Sequence, residues 1–213
     1  MRARNRVVAI VVAALTMLVG LSMPASAHGK TGHHPGTRSL AALLAKDGSG
    51  FDHNWNDFDI TDNAVAAVLK AKPNSPVGVL ADGTTPLTAF LPTDRAFQRL
   101  AESVTGKHIR TEKGVFTAVA GLGIDTVEAV LLYHVVPGAT ITYKQARHSD
   151  DLVLTTALDG ATVRVNVLRG HKVSLVDLDT DNRNPRIVRR DLNKGNLQIA
   201  HGIDRVLRPV DLP

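Results

Sequence analysis

Apolar residues recur every three to four positions through the first half of the chain and every second position through much of the second half, which predicts helices followed by strands. Ser39–Lys46 places Leu40, Leu43 and Leu44 on one helical face and stops at Gly48. Asp62–Lys72 does the same with Ala64, Val65, Val68 and Leu69 before Pro73, with Asp62 as the expected N-cap. Leu87–Leu91 predicts a short strand, after which Pro92-Thr93-Asp94 opens a helix over Arg95–Ala101 with Phe97 and Leu100 inward. A further helix over Thr126–Tyr133 runs into Val135-Val136-Pro137-Gly138, where the pattern turns to strand and then to turn. Ala161–Val167 alternates strictly between the turns Asp159-Gly160 and Arg169-Gly170, so one face packs and the other is wet. Leu152–Thr156, Lys172–Val176, Ile187–Arg190 and Ile203–Leu207 read as further strands. Helices in front and antiparallel strands behind predict an α+β domain.

The N-terminus follows a different logic. Arg2, Arg4 and Arg6 precede the apolar stretch Val7–Leu21, and the small-residue triplet Ala25-Ser26-Ala27 follows. That order predicts a cleavable secretory signal peptide over residues 1–27, with an apolar run short of the roughly 18 residues a membrane span needs. The chain has no cysteine, so neither a disulfide nor a thioether-linked lipid is available. The expectation is a secreted, extracellular protein with no stable membrane insertion after cleavage, and a cysteine-free exported chain of this kind points to a bacterial source. Residues 28–38, HGKTGHHPGTR, carry no apolar periodicity and predict a flexible His/Gly-rich lead-in. Residues 39–213 then form a single domain of 175 residues, which should bury roughly 70% of its unfolded surface.

Charge changes the picture once the leader is removed. The formal value of +5 includes three leader arginines and no leader acids, so 22 Lys and Arg face 20 Asp and Glu in the mature chain, a balance of +2. No electrostatic footprint for nucleic acid remains, and Arg183, Arg186, Arg189, Arg190 and Lys194 read as a solvated face. No G-x-S-x-G elbow, glycine-rich phosphate loop or H-E-x-x-H pair is present, so no catalytic residue, enzymatic activity or cofactor is assigned. Asp177-Leu178-Asp179-Thr180-Asp181-Asn182 begins like a calcium-binding loop, but Asn182 replaces the turn glycine and Val188 the bidentate glutamate, so a polar loop is expected. Cleavage after Ala27 would expose His28 as a terminal copper-chelating residue beside His33 or His34; no rigid element holds a second ligand, and no metal site is assigned.

Three separated segments together resemble the fasciclin-like (FAS1) domain family of extracellular adhesion and matrix modules. Leu87–Phe97, LTAFLPTDRAF, is close to the family's T-V-F-A-P-T-N-x-A-F pattern. Leu132–Gly138, LYHVVPG, is similar to its central Tyr-His segment, and Gln198–Pro209, QIAHGIDRVLRP, to its closing N-G-V-I-H-x-I-D-x-V-L-x-P pattern, with Leu197-Gln198 standing where Asn-Gly is usual. The resemblance implies a β-wedge of about seven strands with helices packed around it. It also implies a binding patch at Tyr133, His134, Val135 and Val136, and, where some animal members carry an Asp-Ile pair proposed to contact integrins, at Asp191 and Leu192. His134 and His201 have a competing role in satisfying buried backbone groups. The function so implied is a secreted, non-enzymatic adhesion module that binds a cell-surface or extracellular protein. A glycan is the less expected partner because aromatics make up only 4% of the chain; Trp55, the single Trp, is either an exposed anchor or a packing residue. The alternative is a carrier of a small apolar ligand, which needs an apolar pocket of roughly 300 Å³ or more.

Overall fold

The computed structural model describes residues 34–210, without 47 and 49. The predicted signal peptide, His28 and His33 lie outside the described residues. Among the described residues there are six α-helices: α1 (Leu40–Leu44), α2 (Asp59–Ala71), α3 (Asp94–Thr105), α4 (Glu112–Ala120), α5 (Ile124–Tyr133) and α6 (Tyr143–Ala146). The seven strands are β1 (Leu87–Pro92), β2 (Val135–Pro137), β3 (Val153–Thr155), β4 (Thr162–Leu168), β5 (Lys172–Val176), β6 (Ile187–Leu192) and β7 (Gln198–Ile203), and a 3-10 turn covers Pro76–Ala81. The fold is α+β, as expected. No single helix among the described residues is long and apolar enough to cross a membrane.

One sheet has the order β2-β1-β7-β6 and the other β3-β4-β5. β1 runs antiparallel to β2 but parallel to β7, with Leu87 opposite Gln198 and Pro92 opposite Ile203. The parallel pairing with β1 departs from the antiparallel reading of the strands in the second half, and the last strand lies at Gln198–Ile203 rather than Ile203–Leu207. The reason is burial: β1 and β7 are buried at every position, so neither alternates. Leu87, Ala89 and Leu91 face a helical core with Ile60, Val68, Phe97 and Val115, whereas Phe90 faces a second core with Tyr133, Val163, Val173, Leu175 and Ile203. The first sheet is thus the middle layer, with helices on one side and the second sheet on the other.

Local chemistry explains most boundaries. Ser39 caps α1 by accepting the Ala42 amide proton, and Thr93 caps α3 by accepting that of Ala96. α3 ends at Gly106, whose φ of 67° is the left-handed stop that glycine permits. α2 begins at Asp59, three residues before the expected Asp62, because its early amide at Ile60 donates to the Asp94 carboxylate on α3, a cap supplied from outside the segment.

The folded body begins before Ser39. Gly36 N–H donates to Gly195 O at 2.7 Å, Leu197 N–H returns to Gly36 O at 2.9 Å, and Arg38 N–H donates to Asn196 Oδ1. Gly83 makes this docking possible, since a β-carbon there would lie 1.7 Å from Thr37 O. Part of the expected lead-in, from Gly36 to Arg38, is therefore a docked segment.

Candidate functional site

The Tyr133-His134-Val135-Val136 segment joins the end of α5 to β2, and all four residues are buried, none more than 4% exposed. Tyr133 Oη donates to Thr162 O at 2.9 Å, tying α5 to β4. Burial, aided by the Asp177 charge, pushes the Tyr133 phenol up to about 12, so it stays protonated. His134 Nδ1 lies 2.6 Å from Val130 O, and its Nε2 lies 2.9 Å from Leu207 N. A carbonyl only accepts and an amide only donates, so Nδ1 carries the proton and Nε2 accepts. Burial pulls the His134 imidazole down to about 4, which keeps this neutral form across physiological pH. The segment sits inside the domain, and its side chains offer no contact surface.

Asp191 and Leu192 lie elsewhere, at the end of β6, the sheet edge opposite β2. Val188, Arg189 and Arg190 on this strand are exposed, and two register shifts interrupt its pairing with β7. Asp191 has φ 52°, and its carboxylate accepts the Tyr143 amide proton at 2.7 Å while its own N–H donates to His201 Nδ1 at 3.2 Å. His201 Nε2 donates to Ile141 O at 2.9 Å, and desolvation lowers the pKa of this fully buried ring. His201 Nδ1 therefore carries no proton, and its 4.0 Å approach to the Asp191 carboxylate is not an ion pair. Arg190 stacks over the Tyr143 ring at 4.0 Å, so β6, β7 and α6 are held as one unit.

Leu192 points the other way. With Leu43, Leu44 and Phe58 it lines a groove of about 220 Å³, bordered by Lys46, Arg189 and Asp59. Arg189 stacks on Phe58 and donates to Asn56 O at 2.8 Å. Gly202 permits this approach, since a β-carbon there would lie 2.9 Å from Arg189 Cβ and 3.0 Å from Phe58. Trp55 is half-buried beneath the Arg95 guanidinium, which stands 5.3 Å from its ring centre, so it packs rather than projects.

The remaining sequence candidates resolve into structural parts. Asp179 is buried; it accepts from the Asp181 and Asn182 amides and pairs with Arg208 at 3.1 Å. Gln198 fills the Asn-Gly position of the family pattern with a different device. Its Oε1 accepts from Leu40 N and its Nε2 donates to Val79 O and Asp82 O, each at 2.8 Å, joining α1 and the Pro76–Ala81 turn to β7.

A second cluster carries only a partial mark in the sequence. Asp57 and the first residues of α2, α3 and α4, which are Asp59, Asp94 and Glu112, are all buried, with Asp52 exposed beside them. Carboxylate oxygens of Asp59, Asp94 and Glu112 lie within 4.8 Å of one another, as do those of Asp52, Asp57 and Asp59. Desolvation, reinforced by Asp57, Asp52 and Glu112, raises the Asp59 carboxyl to about 6; desolvation and Asp57 also raise that of Asp94. The one local signal was DHNWNDFD, with oxygen-bearing side chains at 52, 54, 56, 57 and 59. The other two members lie 35 and 53 residues beyond Asp59.

The Fasciclin domain family model matches residues 61–209, and the chain belongs to that family of adhesion-related modules. Among curated proteins no relative matches. The fold is similar to the structure of a FAS1 domain pair from the insect cell adhesion molecule Fasciclin I, with a TM-score of 0.54 and 17% identity. That match covers 81% of this chain and 51% of the other, so this chain spans about half the length of the pair.

Proposed function

We propose that this domain is a secreted, non-enzymatic interaction module that engages a cell-surface or extracellular protein through the groove beside the β6–β7 turn. The observation that carries the reading is Leu192, placed with Leu43, Leu44 and Phe58 in an apolar groove whose rim bears Lys46 and Arg189. Such a surface suits a protein segment with an apolar anchor flanked by acidic residues. Fasciclin domains are typically extracellular, which agrees with the leader read at residues 1–27. The non-enzymatic part is supported by His134 and His201, whose ring nitrogens are all committed to main-chain groups and leave none to activate a nucleophile.

A carrier of a small apolar ligand is the second reading. The groove of about 360 Å³ formed by Ala129, Val130, Leu158, Pro209 and Val210, with Asp125 and Thr126 at its edge, supports it by size and lining. Beads displaying the protein should adhere to cells, and Leu192→Asp should reduce adhesion at least tenfold in folded protein. Unchanged adhesion by that variant, together with an apolar molecule recovered by native mass spectrometry, would favour the carrier.

A further inference from the structure

We propose that Asp52, Asp57, Asp59, Asp94 and Glu112 form a site for one hard divalent cation of the calcium class. The argument starts from cost. A carboxylate removed from water must be hydrogen-bonded, paired or protonated, or must coordinate a metal. Asp59 Oδ2 and Glu112 Oε1 are buried without a hydrogen-bond partner, in residues no more than 4% exposed, and the Asp94 carboxyl meets that of Asp57. None of the Asp59, Asp94 and Glu112 carboxylates has a Lys, Arg or His ion-pair partner among the described residues.

The helix ends cannot neutralise the cluster. Three N-termini contribute about half a positive charge each, roughly +1.5 together, against five carboxylates. Some carboxyls must therefore hold protons, or a cation must supply the balance. The geometry suits the cation. Oxygens of Asp59, Asp94 and Glu112 converge within 4.8 Å, and Asp59 is shared with the second trio of Asp52 and Asp57. The other oxygens are already oriented, Asp94 Oδ1 by Ile60 N at 3.0 Å and Glu112 Oε2 by His53 N at 3.0 Å. An irregular all-oxygen donor set with no imidazole or thiolate favours calcium over transition metals, and over magnesium with its strict octahedron. Exposed Asp52 provides the mouth through which an ion would enter.

The test is thermal unfolding and calorimetric titration of the purified protein with CaCl2, against NaCl of equal ionic strength. Saturable binding is expected, with Tm rising about 3 to 6 °C at ten times Kd. Asp59→Asn and Glu112→Gln should each weaken calcium binding at least tenfold while leaving the calcium-free Tm unchanged or higher, because carboxylate repulsion is relieved. Should either fail to fold, exposed Asp52→Asn is expected to weaken binding several-fold. No calcium-dependent heat and no Tm shift in the unmodified protein, or an equal shift in every variant, would overturn the proposal.

Discussion

His134 accepts the amide proton of Leu207 at 2.9 Å across 73 residues of sequence, while its other nitrogen grips Val130 O on α5. One neutral imidazole thereby fastens the C-terminal segment to the helix that precedes β2. Replacing it with Ala leaves two buried main-chain groups without this partner, at about 1 to 3 kcal/mol each, and opens a void. His134→Ala should lower Tm by roughly 4 to 24 °C at about 2 to 4 °C per kcal/mol, as read by circular dichroism.

The same ring makes stability depend on pH in a stated direction. Its folded pKa of about 4 lies below the ordinary 6.5, so below pH 6.5 the unfolded chain takes up a proton that the native state refuses. The contribution is complete above pH 6.5 and falls by about 3 kcal/mol as pH drops to 4. The stability difference between the unmodified protein and His134→Gln should therefore shrink between pH 6.5 and 4. A constant difference would show that the ring is not held neutral.

Gln198→Leu should cost about 3 kcal/mol or more, because Leu40 N, Val79 O and Asp82 O all lose their side-chain partner inside the fold. Denaturant titration of the folded variant checks this. Removal of residues 28–35 should leave the midpoint unchanged, whereas removal through Arg38 should lower it, since Gly36 and Arg38 bond to the Gly195–Leu197 turn.

Asp191 separates scaffold from surface. Asp191→Asn keeps an acceptor for Tyr143 N and tolerates the positive φ, so its midpoint should stay within about 0.5 kcal/mol of the parent. Asp191→Val, β-branched at φ 52° and without an acceptor, should lose about 2 kcal/mol or more.

How much of this was legible follows from where each signal resides. β4 was readable because its faces differ in solvation, as in Val163 and Val165 against Thr162 and Arg164. β7 was misplaced because a strand buried on both faces has no alternation, and its polar members Gln198 and His201 are satisfied by distant backbone. α4 was unassigned; Gly114 within it weakens the helical pattern, yet its position packs against Ile109 and Thr111. The Tyr133–Val136 segment was legible as a motif, but only its burial shows that its chemistry points inward. The acidic cluster was only partly legible, because Asp52, Asp57 and Asp59 share one run while Asp94 and Glu112 come from two distant segments that only the tertiary fold brings to it.

The central claim is that recognition resides on the β6–β7 face while the Tyr133–Val136 segment is scaffold. It is tested most directly by cell adhesion of beads bearing the paired rim variant Lys46→Glu/Arg189→Glu, beside Lys172→Glu as an exposed charge change outside the groove. With all three proteins folded, adhesion should fall at least tenfold for the rim variant and stay at the parent level for Lys172→Glu. Parent-level adhesion by the rim variant, or equal loss in both, would contradict the account.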